Sequence, residues 1–312
     1  MDPALVILNP YTGRWAGRRR RPEVEQALRA AGVAYELVET EGARHGERLA
    51  EQAARAGRPV LVAGGDGTIG EVVNGLFRGR PEGVLGPIGI LPVGTANDLV
   101  HNLGLPTALD RAAAVIAAGA TRRIDLGMAN EWVFANNSAV GLEPVVTQYN
   151  ISLVRLRGVV RYLAAALLAI RDGPRWQMHL TWDDGEYQGP VSLVSVGNGA
   201  VTGGLFRMAP AADPADGRLT FVYGFAPTRG RMLGLLPRAI SGSYVNDPAI
   251  HQHHTRCLTI ETQPATPIQV DGELRSESLT EIVYQVLPAR LDVFAPPSGP
   301  TPGGRQPAGR AA

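Results

Sequence analysis

The sequence predicts an α/β domain with a parallel sheet, followed by a mainly antiparallel β-sandwich. Two observations carry this. Up to about Arg123, short unbroken apolar runs of the kind buried on both faces of a parallel sheet alternate with helical stretches. Beyond Arg123, polar and apolar residues alternate between Asp-Gly and Asn-containing turns, the pattern of antiparallel hairpins. The expected division is residues 1–123 and 124–284, with the last strands near 285–295 returning to the first domain and a disordered tail over 296–312.

The first half is organised around Pro59 to Phe77, PVLVAGGDGTIGEVVNGLF. Val60 to Ala63 is an apolar run that stops at Gly64-Gly65-Asp66-Gly67. Thr68 and Glu71 have capping-box spacing, and Ile69, Val72, Val73 and Leu76 then fall on one helical face. The stretch reads as strand, glycine loop, helix. Three glycines let the backbone approach a ligand, and a helix amino terminus adds unpaired N–H donors and the positive end of its dipole. Such a loop is a phosphate cradle; a tight turn without ligand is the alternative.

In chain order, Ala4 to Leu8 is a strand ending in Asn9-Pro10-Tyr11-Thr12-Gly13-Arg14, a polar loop able to face a nucleotide. Pro22 opens a helix with Val24, Ala27, Leu28 and Ala31 on its apolar face, and Gly32 ends it. Val33 to Val38 returns as a strand into Thr40, and a helix over about Ala43 to Ala56 leads to the glycine loop. Gly89 to Leu91 is a short strand broken at Pro92-Val93-Gly94-Thr95-Ala96-Asn97-Asp98, where Thr95 and Asp98 again have capping-box spacing. Thr107 with Asp110 opens a helix through Ala118, closed by Gly119. In a parallel sheet covered on both faces, ligands sit beyond the carboxyl ends of the strands. Both glycine loops lie at that edge, which makes a nucleotide the natural ligand.

Composition narrows the classes. With 312 residues, 45% apolar and 19% charged, the chain can hold two cores and fits neither a disordered nor a fibrous class. A formal net charge of +1 gives no argument for nucleic acid as a partner, and the run Arg18 to Arg21 reads as a solvated loop before an anion or membrane-surface contact. The single Cys257 excludes an internal disulfide and stands in an apolar run as a structural thiol. The amino terminus carries no secretory pattern, and the apolar segment Tyr162 to Ile170 is far shorter than the ~20 residues that span a bilayer. The cytoplasm is the expected compartment, with membrane contact peripheral. The sequence contains no lysine. A GxxxxGK[ST] loop, a kinase strand lysine and a Schiff base are excluded, so amides, arginine or metal must neutralise any phosphate.

In the second half, Ile124 to Ala129 and Trp132 to Ala135 read as a hairpin through Asn130-Glu131. One clear helix, about Val154 to Arg171, has Leu156, Val159, Val160, Leu163 and Leu167 at helical spacing, flanked by Arg155, Arg157 and Arg161. Trp176 to Trp182 and Val191 to Val196 form a second hairpin around Asp184-Gly185, and Gly197-Asn198-Gly199 and Gly203-Gly204 mark tight backbone approach. The turn Ala211 to Gly217 offers Asp213 and Asp216 either to a hard cation or to a metal-free hairpin before the strand Leu219 to Tyr223. His251, His253 and His254 lack a carboxylate or cysteine at zinc-ligand spacing. Pro267 to Val270 is a strand leading to Asp271-Gly272-Glu273, a charged turn or a catalytic pair, and Val283 to Val286 and Leu291 to Phe294 are further strands.

Together NPYTG at 9–13, GGDGTIGEVVNGL at 64–76, LPVGTAND at 91–98, IDLG at 124–127, ADG at 215–217 and VDGE at 270–273 resemble the bacterial lipid kinases related to diacylglycerol and sphingosine kinases. The resemblance runs from Ala4 to about Phe294. GGDGT alone is shared with NAD kinases and phosphofructokinases. The resemblance implies an NAD-kinase-like or phosphofructokinase-like α/β domain, a β-sandwich, and an active site in the cleft between them. It implies that Asn9, Pro10, Thr12, Gly13, Thr40, Gly64, Gly65, Asp66, Gly67, Thr68, Ile69, Gly70, Glu71 and Thr95 hold ATP. Asp66, Asp98 and Asp125 would organise the phosphates and Mg²⁺, Asp271 would be the general base supported by Glu273, and Asp213, Asp216 and Arg218 would form a structural magnesium site. Gly70 departs from the family's usual asparagine, and Leu274 to Leu279 lacks an expected proline.

The expected activity is ATP- and Mg²⁺-dependent phosphorylation of a lipid hydroxyl, with diacylglycerol the leading acceptor and a sphingoid base, ceramide or phosphatidylglycerol as alternatives. The lipid would be met at the membrane surface, with a homodimer left open. A soluble-substrate kinase such as an NAD kinase and a catalytically silent nucleotide and lipid sensor are the rival readings.

Overall fold

A computed structural model of the chain describes residues 3–153, 156, 158–172 and 175–296. The amino-terminal half alternates as read: β1 (Ala4–Leu8), α1 (Thr12–Ala30), β2 (Tyr35–Glu39), α2 (His45–Arg55), β3 (Val60–Gly64), α3 (Asp66–Gly79), β4 (Leu85–Pro92), α4 (Asp98–Asn102) and α5 (Leu109–Ala118). The four strands run parallel in the order β4-β3-β1-β2. Side chains alternate across the sheet. Leu5 and Ile7 meet Val60, Val62, Ile69, Val72, Val73 and Leu76 on one face, while Val6 and Leu8 meet Val24, Leu28 and Ile116 on the other.

The second half begins with the antiparallel pair β5 (Thr121–Ala129) and β6 (Trp132–Phe134), then β7 (Asn137–Gly141). Helices α6 (Leu142–Ser152) and α7 (Gly158–Asp172) follow, then β8 (Trp176–Trp182), β9 (Gly185–Val191), β10 (Leu193–Gly197) and β11 (Leu219–Gly224). Helix α8 (Arg229–Ser241) leads to β12 (Ile250–Thr255), β13 (Cys257–Val270) and β14 (Glu273–Phe294). The pairings among β7, β8, β9, β10, β11, β12 and β13 are all antiparallel, around a core of Phe134, Trp176, Phe221, Ile260 and Tyr284.

One strand belongs to both halves. The first part of β14 pairs with β13; beyond left-handed Ala289, Leu291 and Val293 lie parallel to Leu85 and Ile88 of β4, and β5 lines the other side. The hydrogen-bonded network is therefore continuous across the molecule.

Several local expectations are corrected. Helix α1 begins at Thr12 and carries Pro22 inside it, because the loop carbonyls of Asn9 and Pro10 already accept the N–H groups of Thr12 and Arg18. Val154, Arg155 and Arg157 lie outside the described residues, as does the tail 297–312. The single predicted helix is preceded by α6 and joined by α8, whose two glycines and Pro237 hide it from propensity. Packing of Met232, Leu235, Leu236 and Ala239 holds α8 in place. The hairpin from Trp176 closes on Gly185–Val191 rather than on the next strand.

Gly75 marks the closest approach of α2 and α3, where a Cβ would stand 2.1 Å from the Glu47 carbonyl oxygen. Gly75→Ala is expected to cost about 2 kcal/mol or more in denaturant unfolding, the range for overpacking. Gly42→Ala, with open space around it, should leave the midpoint unchanged.

Candidate active site

Three loops meet at the carboxyl edge of the parallel sheet. A Cβ on Gly94 would lie 2.5 Å from the Gly65 Cα, so the two glycine loops are in backbone contact. Gly13 lies against Val93 and Thr95, and Gly65 faces the Thr12 methyl. The Asn9 amide donates to the Thr68 hydroxyl at 2.9 Å, tying the first loop to the second. Thr40 is buried beside them, its N–H donating to the Leu8 carbonyl. The Pro10 carbonyl accepts from Arg18.

Neither capping box forms. Helix α3 starts at Asp66, before Thr68, and Glu71 turns away to accept the N–H groups of Arg44 (2.8 Å) and Gly46 (3.1 Å) at the start of α2. The Asp98 carboxylate leaves its own helix to bind Gly203 and Gly204. Helix α5 begins at Leu109 without a side-chain cap from Thr107. For Glu71 and Asp98 a distant donor outcompetes the local one. Ile69 packs in the core, so the side chains of Ile69 and Glu71 do not face the cleft.

Opposite the glycines stand four acids. Asp98 accepts from Gly204 at 2.6 Å and Gly203 at 2.7 Å, and burial followed by the charge of Asp66 pushes its pKa up to about 7. Burial also raises Asp66, against the N–H of Leu99. Asp271, at left-handed φ, receives three consecutive amides, Ala135 on Oδ2 and Asn136 and Asn137 on Oδ1, each at 3.0 Å. Burial nonetheless lifts its pKa to about 6. Its Oδ2 keeps an acceptor position open beside Gly70, where a Cβ would lie 3.6 Å away. Glu273 is raised by burial, pairs with Arg275 at 3.1 Å and packs against Gly67. Among the described residues no ion pair reaches Asp66, Asp98 or Asp271.

Asp125 does not join this group. Its Oδ2 accepts from Gly217 at 2.7 Å and its Oδ1 from Ala289 at 2.6 Å, so it fastens the Asp213–Gly217 turn and the bend of β14 to β5. The resemblance implies a place with the phosphates; two backbone amides hold its carboxylate at the turn and the bend. In the turn, Asp213 accepts from Ala215 and Asp216 from Arg218, and burial, then the charge of Asp213, raises Asp216. Among the described residues no group of three metal-ligating side chains forms. His254 bonds Thr220, while His251 and His253 stack on Tyr223 and Phe221.

Sequence reasoning missed the donors. Gly203 and Gly204 were marked for close approach, but their acceptor, Asp98, lies about a hundred residues away in sequence. Backbone amides at 135–137 leave no sequence signal. Nor does an apolar cavity whose lining includes Val146, Ile170, Phe206, Met208, Leu236 and Tyr244. Its one acid, Glu143, is fully enclosed; burial pushes its pKa up to about 7, and the nearby Ser195 hydroxyl offsets this only in part. The hydroxyl stands close without completing a well-formed hydrogen bond to either carboxyl oxygen.

Glycine loops and a group of acids meet where the parallel sheet joins the sandwich, an arrangement suited to phosphoryl transfer. Residues 3–129 match the family described as "Diacylglycerol kinase catalytic domain", and residues 137–295 match "YegS C-terminal NAD kinase beta sandwich-like domain". The chain belongs to this family and is a lipid kinase. A "Probable lipid kinase YegS-like" of Pseudomonas aeruginosa is 31% identical over 303 residues, 96% of each chain. A diacylglycerol kinase of Staphylococcus saprophyticus is 28% identical, covering 94% of this chain and 95% of its own. A crystal structure titled as a diacylglycerol kinase from Bacillus anthracis superposes with TM-score 0.72 at 22% identity, over 95% of this chain and 97% of that one. Yeast NADH kinase shares the fold at TM-score 0.50 and 9% identity, over 95% of this chain and 85% of its own.

Two stability outcomes follow. Asp125→Ala, which strands two amides, should lower stability by about 2–3 kcal/mol in urea titration. Glu143 has a folded pKa above its unfolded value, so its cost is absent below about pH 4.5 and complete above about pH 7. Glu143→Gln should therefore stabilise by up to about 3 kcal/mol at pH 8 and by little at pH 4, read as the difference in Tm between the two pH values.

Proposed function

We propose that the chain transfers the γ-phosphoryl group of ATP, with Mg²⁺, to the hydroxyl of a lipid, with diacylglycerol the leading acceptor. The observation that carries this reading is the placement of the apolar cavity. Phe206 and Met208 of its lining follow directly on Gly204, whose N–H holds Asp98. An acyl chain bound there would touch residues two to four positions along the chain from the amide that holds Asp98. A dinucleotide such as NAD offers nothing to fill an apolar enclosure, which disfavours the soluble-substrate alternative despite the shared fold. The relatives named as lipid and diacylglycerol kinases support the same choice.

The loop Asn9 to Gly13, Gly64 to Thr68 and Thr95 take the nucleotide, with backbone amides standing in for the lysine the chain lacks. Three buried carboxylates without a cationic partner fit a divalent cation arriving with the nucleotide, held by Asp66 and Asp98. When bound, Mg²⁺ neutralises charge on the phosphates. Asp213 and Asp216, with backbone carbonyls of Asp213 and Arg218, suit a second, structural cation, and Asp125 positions that turn. Asp271 accepts the proton of the attacking hydroxyl at Oδ2, its rotamer held by three amides so that little reorganisation accompanies the transfer. Glu273 buttresses the glycine loop at Gly67. The protein works from the cytoplasm by peripheral contact, as a monomer or homodimer; no described helix is long and apolar enough to cross a membrane.

The test is transfer of labelled phosphate from ATP to dispersed diacylglycerol, with NAD and a lipid extract in parallel and with metal chelated in a control. Diacylglycerol should be labelled only when Mg²⁺ is present; labelling of NAD alone refutes the reading. Asp271→Asn is expected to lower kcat by about 10²–10⁴. Gly70→Asn would add a donor beside the Asp271 carboxylate, favour its charged form and move the acid limb of the pH–rate profile below the position set by a pKa of about 6. An unmoved acid limb would show that Asp271 does not govern it.

A further inference from the structure

The helical layer over the cavity is apolar on both sides. Inward, α7 contributes Ala166 and Ile170 to the cavity, and α8 contributes Met232, Leu235, Leu236 and Ala239. Outward, α7 exposes Val160 and Leu167 and α8 exposes Leu233 and Ile240, each pair seven residues apart and so on one helical face. Ile151 on α6 joins them at 63% exposure. These five make up all but two of the seven large apolar side chains exposed among the described residues, Tyr11 and Trp15 being the others. Scattered exposed apolar residues are ordinary; their concentration on one layer is not.

Charge says what covers this face. Helices α7 and α8 carry Arg161, Arg171, Arg229, Arg231 and Arg238 against a single acid, Asp172. Asp172 is already engaged by Arg171 and the Tyr149 hydroxyl, and Asp247 beyond α8 takes Arg231 and Arg238. Net of these pairs the layer keeps a positive charge, with Arg161 and Arg229 in no ion pair among the described residues, on the same helices as the exposed apolar side chains, the pairing that binds an anionic bilayer surface. A second copy of this chain would bring the same positive layer against itself, which like-charge repulsion opposes.

We propose that the outer face of α6, α7 and α8 is the membrane-docking surface, seating in the headgroup region of an anionic bilayer. The proposal rests on the lipid kinase reading, since the same helices that would touch the bilayer roof the acyl cavity. Docked there, the protein places only one helical layer between the bilayer and the cavity beside the acid cluster. Val160, Leu167, Leu233 and Ile240 line none of that cavity, so their substitution separates docking from chemistry.

The experiment measures cosedimentation of the full chain with vesicles of phosphatidylcholine, with and without phosphatidylglycerol, alongside phosphorylation of a short-chain diacylglycerol dispersed below its micelle concentration. The unaltered protein should bind the phosphatidylglycerol vesicles, and the binding should weaken as salt is raised. Leu167→Glu combined with Leu233→Glu should weaken vesicle binding about tenfold or more, with Tm and the rate on the short-chain acceptor unchanged. Vesicle binding equal in the variant and the unaltered protein overturns the proposal, as does a dimer that the variant abolishes while vesicle binding persists. Failure to phosphorylate any lipid, with vesicle binding behaving as expected, would instead remove the kinase assignment of the cleft and leave the docking face standing.

Discussion

The buried carboxylates of Asp98 and Asp271 and the partly buried one of Asp66, with only backbone amides for partners, set the terms for the rest of this structure. Asp66, Asp98 and Asp271 repel one another, and burial raises each above the ordinary carboxylate range. A chain without lysine cannot relieve them with an ammonium group. It spends six backbone N–H groups instead: those of Leu99, Gly203, Gly204, Ala135, Asn136 and Asn137. Amides stabilise the charge without cancelling it, so the cluster retains a net demand for a cation. That residual demand is what the proposed use of a metal-bound nucleotide would draw on.

The amide donors also explain the architecture. Gly203 and Gly204 come from the loop between β10 and β11 and Asp98 from the start of α4, so their bonds tie the two halves together. Asp271 sits at the tip of the β13–β14 hairpin and draws on the start of β7. The same β14 then enters the parallel sheet beside β4. Asp125 fixes the bend between these two parts through Ala289. The two halves are thus joined by a covalent strand and by carboxylate-to-amide bonds at either end of the cleft, which holds loops from remote parts of the chain in register.

The apolar cavity and the glycine loops are built from different kinds of segment. The glycine loops sit on a fold that yeast NADH kinase shares. The apolar cavity under α6, α7 and α8 is built from weakly helical segments such as α8, whose register depends on packing rather than propensity. Glu143, enclosed there without a partner, is a cost that packing elsewhere must offset.

The sequence by itself determined the alternation of strand and helix, the change to antiparallel pairing near residue 123 and the position of every glycine loop, because buried apolar runs and glycine turns are local signals. It also determined that no lysine takes part. Where a side chain had a choice of partner, local spacing misled: Thr68 with Glu71 and Thr95 with Asp98 look like capping boxes, yet Glu71 serves α2 and Asp98 serves Gly203 and Gly204. Asp125, placed with the phosphates by resemblance, is held by the amides of Gly217 in the turn before β11 and Ala289 in the bend of β14. Only the tertiary structure could decide these, since a carboxylate takes the donors that folding brings to it, and amides more than ninety residues distant carry no mark in the sequence.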